Sequence, residues 1–215
     1  MRASLIFGFL IACGGGTSAT VDSSVSHDGA GSGSGSGSAT NQVNGQFGGH
    51  TFDAKDAIWN RFDHTNGFEF VGSAAFVEIT DYAGACALAG QDKAPTGSLI
   101  LDLGVAVTDG SAMASVPTAA GVFTVHSSAS SLPASSNVAQ VYLGSGCSKD
   151  VEYEGVSGSV TIATVHADGS YAGTFDIMVS CASFGSCTGA DAHLTGSFTS
   201  AACASLDVNT IPGCS

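Results

Sequence analysis

Two runs of alternating residues, 159–165 and 171–179, flank the dipeptide Asp168-Gly169. Asp-Gly between alternating runs is a strong short-range signal for a β-hairpin, because both residues tolerate the positive φ of a two-residue turn. Placed as such a turn, it pairs His166 with Tyr171, Thr164 with Gly173, Ile162 with Phe175 and Val160 with Ile177. All of these fall on one face, continued by Val179. The other face carries Ser159, Thr161, Ala163, Ala172, Thr174, Asp176 and Met178, which are mostly small or polar. A one-residue slip would mix the two faces, so the pattern restricts the register. A third run over 190–199 places Leu194, Gly196 and Phe198 inward and His193, Thr195 and Ser197 outward. The C-terminal third therefore reads as an antiparallel meander.

The segments before it have the same character. Residues 43–47 and 51–59 form an opening pair around the turn Gly48-Gly49. Further strands are expected over 68–71, 74–80, 121–126 and 138–143, and the most apolar run, 98–107, is expected at the centre of a sheet. Only 85–91 reads as helix. About ten short strands with glycine-rich turns predict an all-β, antiparallel β-sandwich or jelly-roll-like domain, with a small calycin-like β-barrel as the alternative. Gly173 and Gly196 inside strands point to sharp curvature or bulges.

Six cysteines lie in this region: Cys86, Cys147, Cys181, Cys187, Cys203 and Cys214. An even number in an exported chain reads as three disulfides, one of 15 connectivities. Zinc would be the rival, but no Cys-x-x-Cys pair and no histidine at finger spacing occurs. Proximity in sequence favours Cys181–Cys187 and Cys203–Cys214, which leaves Cys86–Cys147 by elimination.

The export argument comes from the N-terminus. Arg2 precedes an eight-residue apolar run, 5–12, far below the roughly 20 residues of a membrane-spanning helix but within the range of a secretory h-region. Ala12 is a small residue before Cys13. Leu10-Ile11-Ala12-Cys13 resembles the lipobox of bacterial lipoprotein signals, in which the cysteine receives a diacylglycerol and an amide-linked acyl chain such as palmitate. An ordinary secretory signal cut elsewhere is the competing reading. Two or more acyl chains hold a protein stably on a bilayer. Gly14 in place of an aspartate, by resemblance to Gram-negative lipoproteins, implies the outer membrane. Residues 1–12 are then a signal peptide and 13–40 a lipid-anchored flexible Gly/Ser linker. With almost no apolar content, the linker cannot offset its ordering entropy, and its reach is on the order of 30 Å. Residues 41–215 form the extracytoplasmic β-domain.

The motifs Ser157-Gly158-Ser159-Val160-Thr161-Ile162, Gly173-Thr174-Phe175-Asp176 and Leu194-Thr195-Gly196-Ser197-Phe198, with Val43-Asn44-Gly45 at the start, are similar to uncharacterised putative lipoproteins of Gram-negative bacteria. That resemblance implies an anchor and a β-domain, and it supplies no catalytic residues.

Charge narrows the function. The chain carries 18 acids against 5 bases, a net charge of −13, and becomes more negative when Arg2 leaves with the signal. Lys55, Arg61, Lys93 and Lys149 are scattered, which argues against nucleic acid as a partner. No nucleophile elbow, His-Glu-x-x-His, phosphate loop or dinucleotide fingerprint occurs in the domain. No catalytic residue, metal site or cofactor is assigned. The densest polar group is His50, Asp53, Asp56, Asp63 and His64, expected to be an exposed edge rather than a cation site. His166 is expected at the rim beside Tyr171, Asp191 and His193 on the solvated face, and Trp59 in the core. The expectation is a membrane-anchored lipoprotein whose non-enzymatic domain serves interaction or envelope structure. A small-ligand carrier (apolar or carbohydrate) is the alternative, and a secreted hydrolase is third.

Overall fold

The structure is a computed structural model that describes residues 41–64, 71–109, 113–127, 133, 135–147, 151–182, 187, 189–206 and 213–214. The signal, Cys13 and the linker lie outside the described residues. The described chain forms β1 (Gln42–Asn44), β2 (Gln46–Phe47), β3 (His50–Thr51), β4 (Asp56–His64), β5 (Val71–Thr80), α1 (Ala85–Ala89), β6 (Lys93–Ala94), β7 (Leu99–Thr108), β8 (Met113–Ser115), β9 (Gly121–Val125), β10 (Ser136–Ser145), β11 (Val151–Val165), β12 (Tyr171–Cys181), β13 (Ala192–Thr199), β14 (Ala201–Ala202) and β15 (Gly213–Cys214). It is an all-β, disulfide-stapled domain with one short helix.

Eleven of these strands make one sheet, in the order β1-β13-β12-β11-β9-β10-β7-β8-β5-β4-β14. The long strands pair antiparallel. The run 98–107, read as central, is β7, and it lies between β10 and β5. Two short strands wedge the sheet open. β9 pairs antiparallel with β11 and parallel with β10, while β8 pairs antiparallel with β7 and parallel with β5.

The sheet curls back on itself. Only Ser200 separates β13 from β14, yet Thr199 pairs with Ala172 of β12 while Ala201 pairs with Ile58 of β4. Residues two apart in the chain cannot be more than about 7 Å apart, so strands far apart in the pairing order are neighbours here. The Trp59 ring meets the Tyr171 ring edge-on at 4.8 Å across this junction. The Ser200 hydroxyl accepts from the Tyr171 N–H and donates to the Tyr171 carbonyl. Inside the curl lies one apolar cluster, with Val77, Leu103, Phe123, Val141, Val160 and Phe175 among its members.

Away from the turn the β11–β12 hairpin keeps the expected faces by a different register, but next to the turn Thr164, expected inward, is exposed and Val165 takes the inner place beside Tyr171. Val165 pairs with Tyr171, Ile162 with Gly173, Val160 with Phe175 and Gly158 with Ile177. The turn holds three residues, not two. The Gly169 N–H donates to the His166 carbonyl and the His166 N–H to the Ser170 carbonyl, with Gly169 at φ +84. This is the turn-plus-left-handed-glycine loop that adds one residue to a hairpin. One extra residue alone would turn Ile162 and Val160 outward. A bulge between Ile162 and Thr164 adds a second shift and returns them to the interior. His166 is therefore exposed, not at an inner rim beside Tyr171. The Asp168 carboxylate accepts from the Ser170 hydroxyl and N–H, and those two bonds hold its pKa below the usual value.

Gly173 and Gly196 mark close approach. Gly173 pairs directly with Phe198, and Gly196 with Phe175. A Cβ on Gly196 would lie 2.4 Å from the Phe175 ring and 2.0 Å from the Gln42 carbonyl oxygen. Each phenyl ring thus covers the glycine opposite, a cross-strand arrangement that shields bare backbone in a sheet.

Three disulfides join the six cysteines. Cys181–Cys187 is as expected, but the other two pairs are Cys86–Cys203 and Cys147–Cys214. Nearness in sequence misled because the sheet curls. β14 returns the chain to β4 and beside α1, so Cys203 meets Cys86. β15 then pairs parallel with β6, and the Gly146 N–H bonds the Ser98 carbonyl beside β7, so Cys214 meets Cys147.

Candidate functional site

The outer surface of the sheet differs between its two halves. Over β4, β5, β7 and β10 it is covered. Phe76 is 3% exposed and lies over Gly104, with the Phe62 ring 5.7 Å away. Ile58, Ala85, Cys203 and Leu206 form a small second core there, with Tyr82, Cys86 and Ala89 packed against it. Ala74, Ala106, Ala114 and Val138 form a third.

Several acids sit in this covered region with structural tasks. Asp56 accepts from the Ala57 N–H and from the Ala85 N–H at the start of α1, so a strand carboxylate serves the helix end that Gly84 leaves without a side-chain cap. Asp81 accepts from the Leu99 N–H. Glu78, 6% exposed, pairs directly across from Asp102. Burial, then the negative charges of Glu78, Asp102, Asp81 and Asp56, push the Tyr82 hydroxyl far above its ordinary pKa. Burial alone raises Tyr171, whose hydroxyl donates to the Pro117 carbonyl.

The other half, β9, β11, β12, β13 and β1, is open. Here the outward residues line up across five strands. One row runs Thr124, Ser159, Asp176, Thr195 and Asn44, and the next Val122, Thr161, Thr174, Ser197 and Gln42. Every one of these is exposed or half-buried. Beside the first row, His193 Nε2 lies 2.7 Å from Asp176 Oδ1, both side chains more than half exposed. The outward assignment of His193, Thr195 and Ser197 from sequence is what this face presents, and Asp191 is exposed beside them. Sequence reading missed that β9 and β1 extend the face. Their alternation is legible, but nothing local to 121–125 or 42–44 says which strand each will join.

The polar group read at the start of the domain disperses. Asp53 pairs with Lys55, and Asp63 accepts from Arg61 Nε at 2.7 Å. Asp56 is tied to α1, and His50 is exposed with its ring 6.1 Å from Phe47. The His64 side chain lies outside the described residues, as do the turn Asn66-Gly67 and Lys149. Trp59 packs against the central core. Among the described residues no three His, Cys, Asp or Glu side chains converge as a metal set.

Chemically, the open face is a grid of hydroxyl and amide groups that donate and accept hydrogen bonds. Its one imidazole–carboxylate pair stands in water, where such a pair contributes about 0–1 kcal/mol. A catalytic pair acts most strongly in a water-excluded site. No protein-family model matches the chain, and neither a curated protein nor a solved structure does.

Proposed function

We propose that this chain is an envelope lipoprotein. It is held on the membrane by acyl chains on Cys13, lifted by the 13–40 linker, and meets its partner through the open outer face of β9, β11, β12, β13 and β1. The domain is non-enzymatic in this reading. The observation that supports it is the division of the sheet, since the interior is occupied by large side chains and the ordered polar groups gather on one uncovered surface. A carrier needs an interior open to a ligand. Here Phe47, Phe123, Tyr153 and Phe198 are among the largest fully buried side chains. Three disulfides fit an oxidising compartment outside the cytoplasm.

The test is intact mass of the protein from its native host, beside a Cys13→Ala control. A chain beginning at Cys13 with added acyl mass, absent from the control, is the expected result. A mature chain cut elsewhere and free of acyl mass would make this a released domain and end the anchored reading.

A further inference from the structure

We propose that the β2–β3 hairpin is a plug over one end of the curled sheet. Its release admits an uncharged apolar molecule with the bulk of the Phe47 and Phe52 side chains and one oxygen acceptor. This goes beyond the reading of the open face and does not depend on it.

The plug is held by side chains. β2 and β3 form a separate two-stranded sheet that pairs Gln46 with Thr51 and Phe47 with His50. From Gln46 to Ala54, among the described residues, no hydrogen bond joins this span to the curled sheet. Bonding resumes where the Lys55 N–H donates to the Thr80 carbonyl at 2.8 Å. What fixes the span is apolar contact. Phe47 and Phe52 are buried in the central cluster, and Ala54 packs against it. Gly45 at φ +122, Gly48 at +53 and Gly49 at +82 stand at the entry and the tip, in conformations that only glycine adopts freely. An element secured by a few buried rings and no shared backbone bonds can open as a unit while the sheet beneath stays intact.

Beneath the plug lies the group that points to a ligand. Tyr153, near the start of β11, stands between Leu143 of β10 and Cys181 of β12 and is 1% exposed. The Phe47 ring meets its ring edge-on at 5.7 Å. Its hydroxyl has no hydrogen-bond partner among the described residues, unlike that of Tyr171, which donates to the Pro117 carbonyl. Gly48 of the plug and Gly189 crowd that oxygen without bonding it. A Cβ would lie 2.9 Å from it on Gly48 and 2.4 Å on Gly189.

A hydroxyl taken from water and left unbonded is costly. The seated plug therefore meets the apolar demand of this end and leaves its polar demand unmet. A molecule with an apolar body and an acceptor meets both, and that difference is what lets a ligand shift the plug from closed to open. The space is lined by the apolar cluster, where an unpaired charge is strongly disfavoured, so the ligand is neutral. With the plug seated the interior is filled, and the site exists only when the plug is out.

The probe is Prodan, a neutral naphthalene ketone whose emission moves to the blue when it leaves water, titrated into the full chain carrying Cys13→Ala. Phe47→Ala removes the competing ring and should tighten the apparent Kd about tenfold or more, because apparent affinity rises with the fraction of molecules already open. Adding Tyr153→Phe to that variant should weaken binding about threefold or more, through loss of one hydrogen bond. Phe76→Ala, a ring deleted from the outer side of the sheet, should bind as the parent does. Should Phe47→Ala unfold, amide hydrogen exchange on the parent decides, since Prodan should quicken exchange over 46–54 and leave β4 and β13 no faster. No gain in a folded Phe47→Ala, an equal gain in Phe76→Ala, or a folded double variant that binds as tightly as Phe47→Ala would each overturn the proposal. So would exchange over 46–54 that Prodan leaves unchanged or slows. None of these readouts involves the acyl anchor or the open face, so either reading can fall without the other.

Discussion

Strands β5 and β12 are neighbours of the same interior, and their sequences obey different rules. In β5 every residue from Ala74 to Thr80 is buried, whereas in β12 buried positions alternate with half-buried and exposed ones. The cause is what lies outside each strand. On β5 the outward Phe76 packs on Gly104 and the Phe62 ring, and the outward Ala74 clusters with Ala106, Ala114 and Val138, so both its faces are dry. Among the described residues no segment covers the outer face of β12, and the dry face is the one carrying Tyr171, Phe175, Ile177 and Val179. A sheet covered on both sides reads as a near-continuous apolar run, and one covered on a single side reads as alternation. The disulfides follow the same division. The two that span 117 and 67 residues secure the covering segments, and the one that spans 6 closes the tip between β12 and β13.

That contrast can be broken most forcefully at the disulfides. In the loop-entropy picture a cross-link over 117 residues contributes about 5 kcal/mol and one over 6 residues about 2 kcal/mol. Denaturant unfolding of Cys86→Ala/Cys203→Ala should therefore show a much larger loss than Cys181→Ala/Cys187→Ala. Equal losses would mean the cover contributes no more than the hairpin tip. A sharper probe compares two outward-facing residues. Phe76→Ala, beneath the cover, should cost about 3–5 kcal/mol, and Thr174→Ala, on the open face, less than about 0.5 kcal/mol. Similar costs would show that both outer surfaces are solvated alike.

The smallest effect is in alkali. Tyr82 titrates above its unfolded value of about 10, so its contribution is present in full below that pH. Above it the unfolded state releases a proton that the folded state keeps, and stability falls as pH rises toward the folded value. Unfolding midpoints between pH 9 and 11 should drop less in Tyr82→Phe than in the parent. A matching drop would place the alkaline loss elsewhere.

Much of the fold is legible in the sequence because one-sided burial writes itself as alternation. The outward positions of β12 and β13 follow directly from residues 171–179 and 190–199. The covered half is harder to read. Phe76 and Glu78 look like the outward half of an alternating strand, and nothing near them announces that Phe76 will pack against Phe62 and over Gly104. The hairpin illustrates a second limit, since the one-residue excess in the turn and the bulge at Ala163 cancel on the inner face. The pattern holds for the inner side chains from Val160 and Ile162 to Phe175 and Ile177, fails at Thr164 and His166, which are exposed, and is silent about which partners the inner residues face. The disulfide pairs were hidden for a related reason, because pairing depends on where the curl returns the chain. The open face is only half visible, since the alternation of β9 and β1 is local and their place beside β11 and β13 is not.

The junction at Ser200 has a consequence for when this domain can form. The last contacts of the curl join Ile58 to Ala201 and Asn41 to Thr199, pairs separated by more than 140 residues. Such distant pairings are slow because loop-closure entropy precedes any reward. A growing chain that has reached residue 190 has made its meander's first two strands but holds β4 and β12 with open edges. Until β13 and β14 join it, the half-built sheet is exposed to pairing with other chains, and its safety depends on how soon residues 192–202 dock.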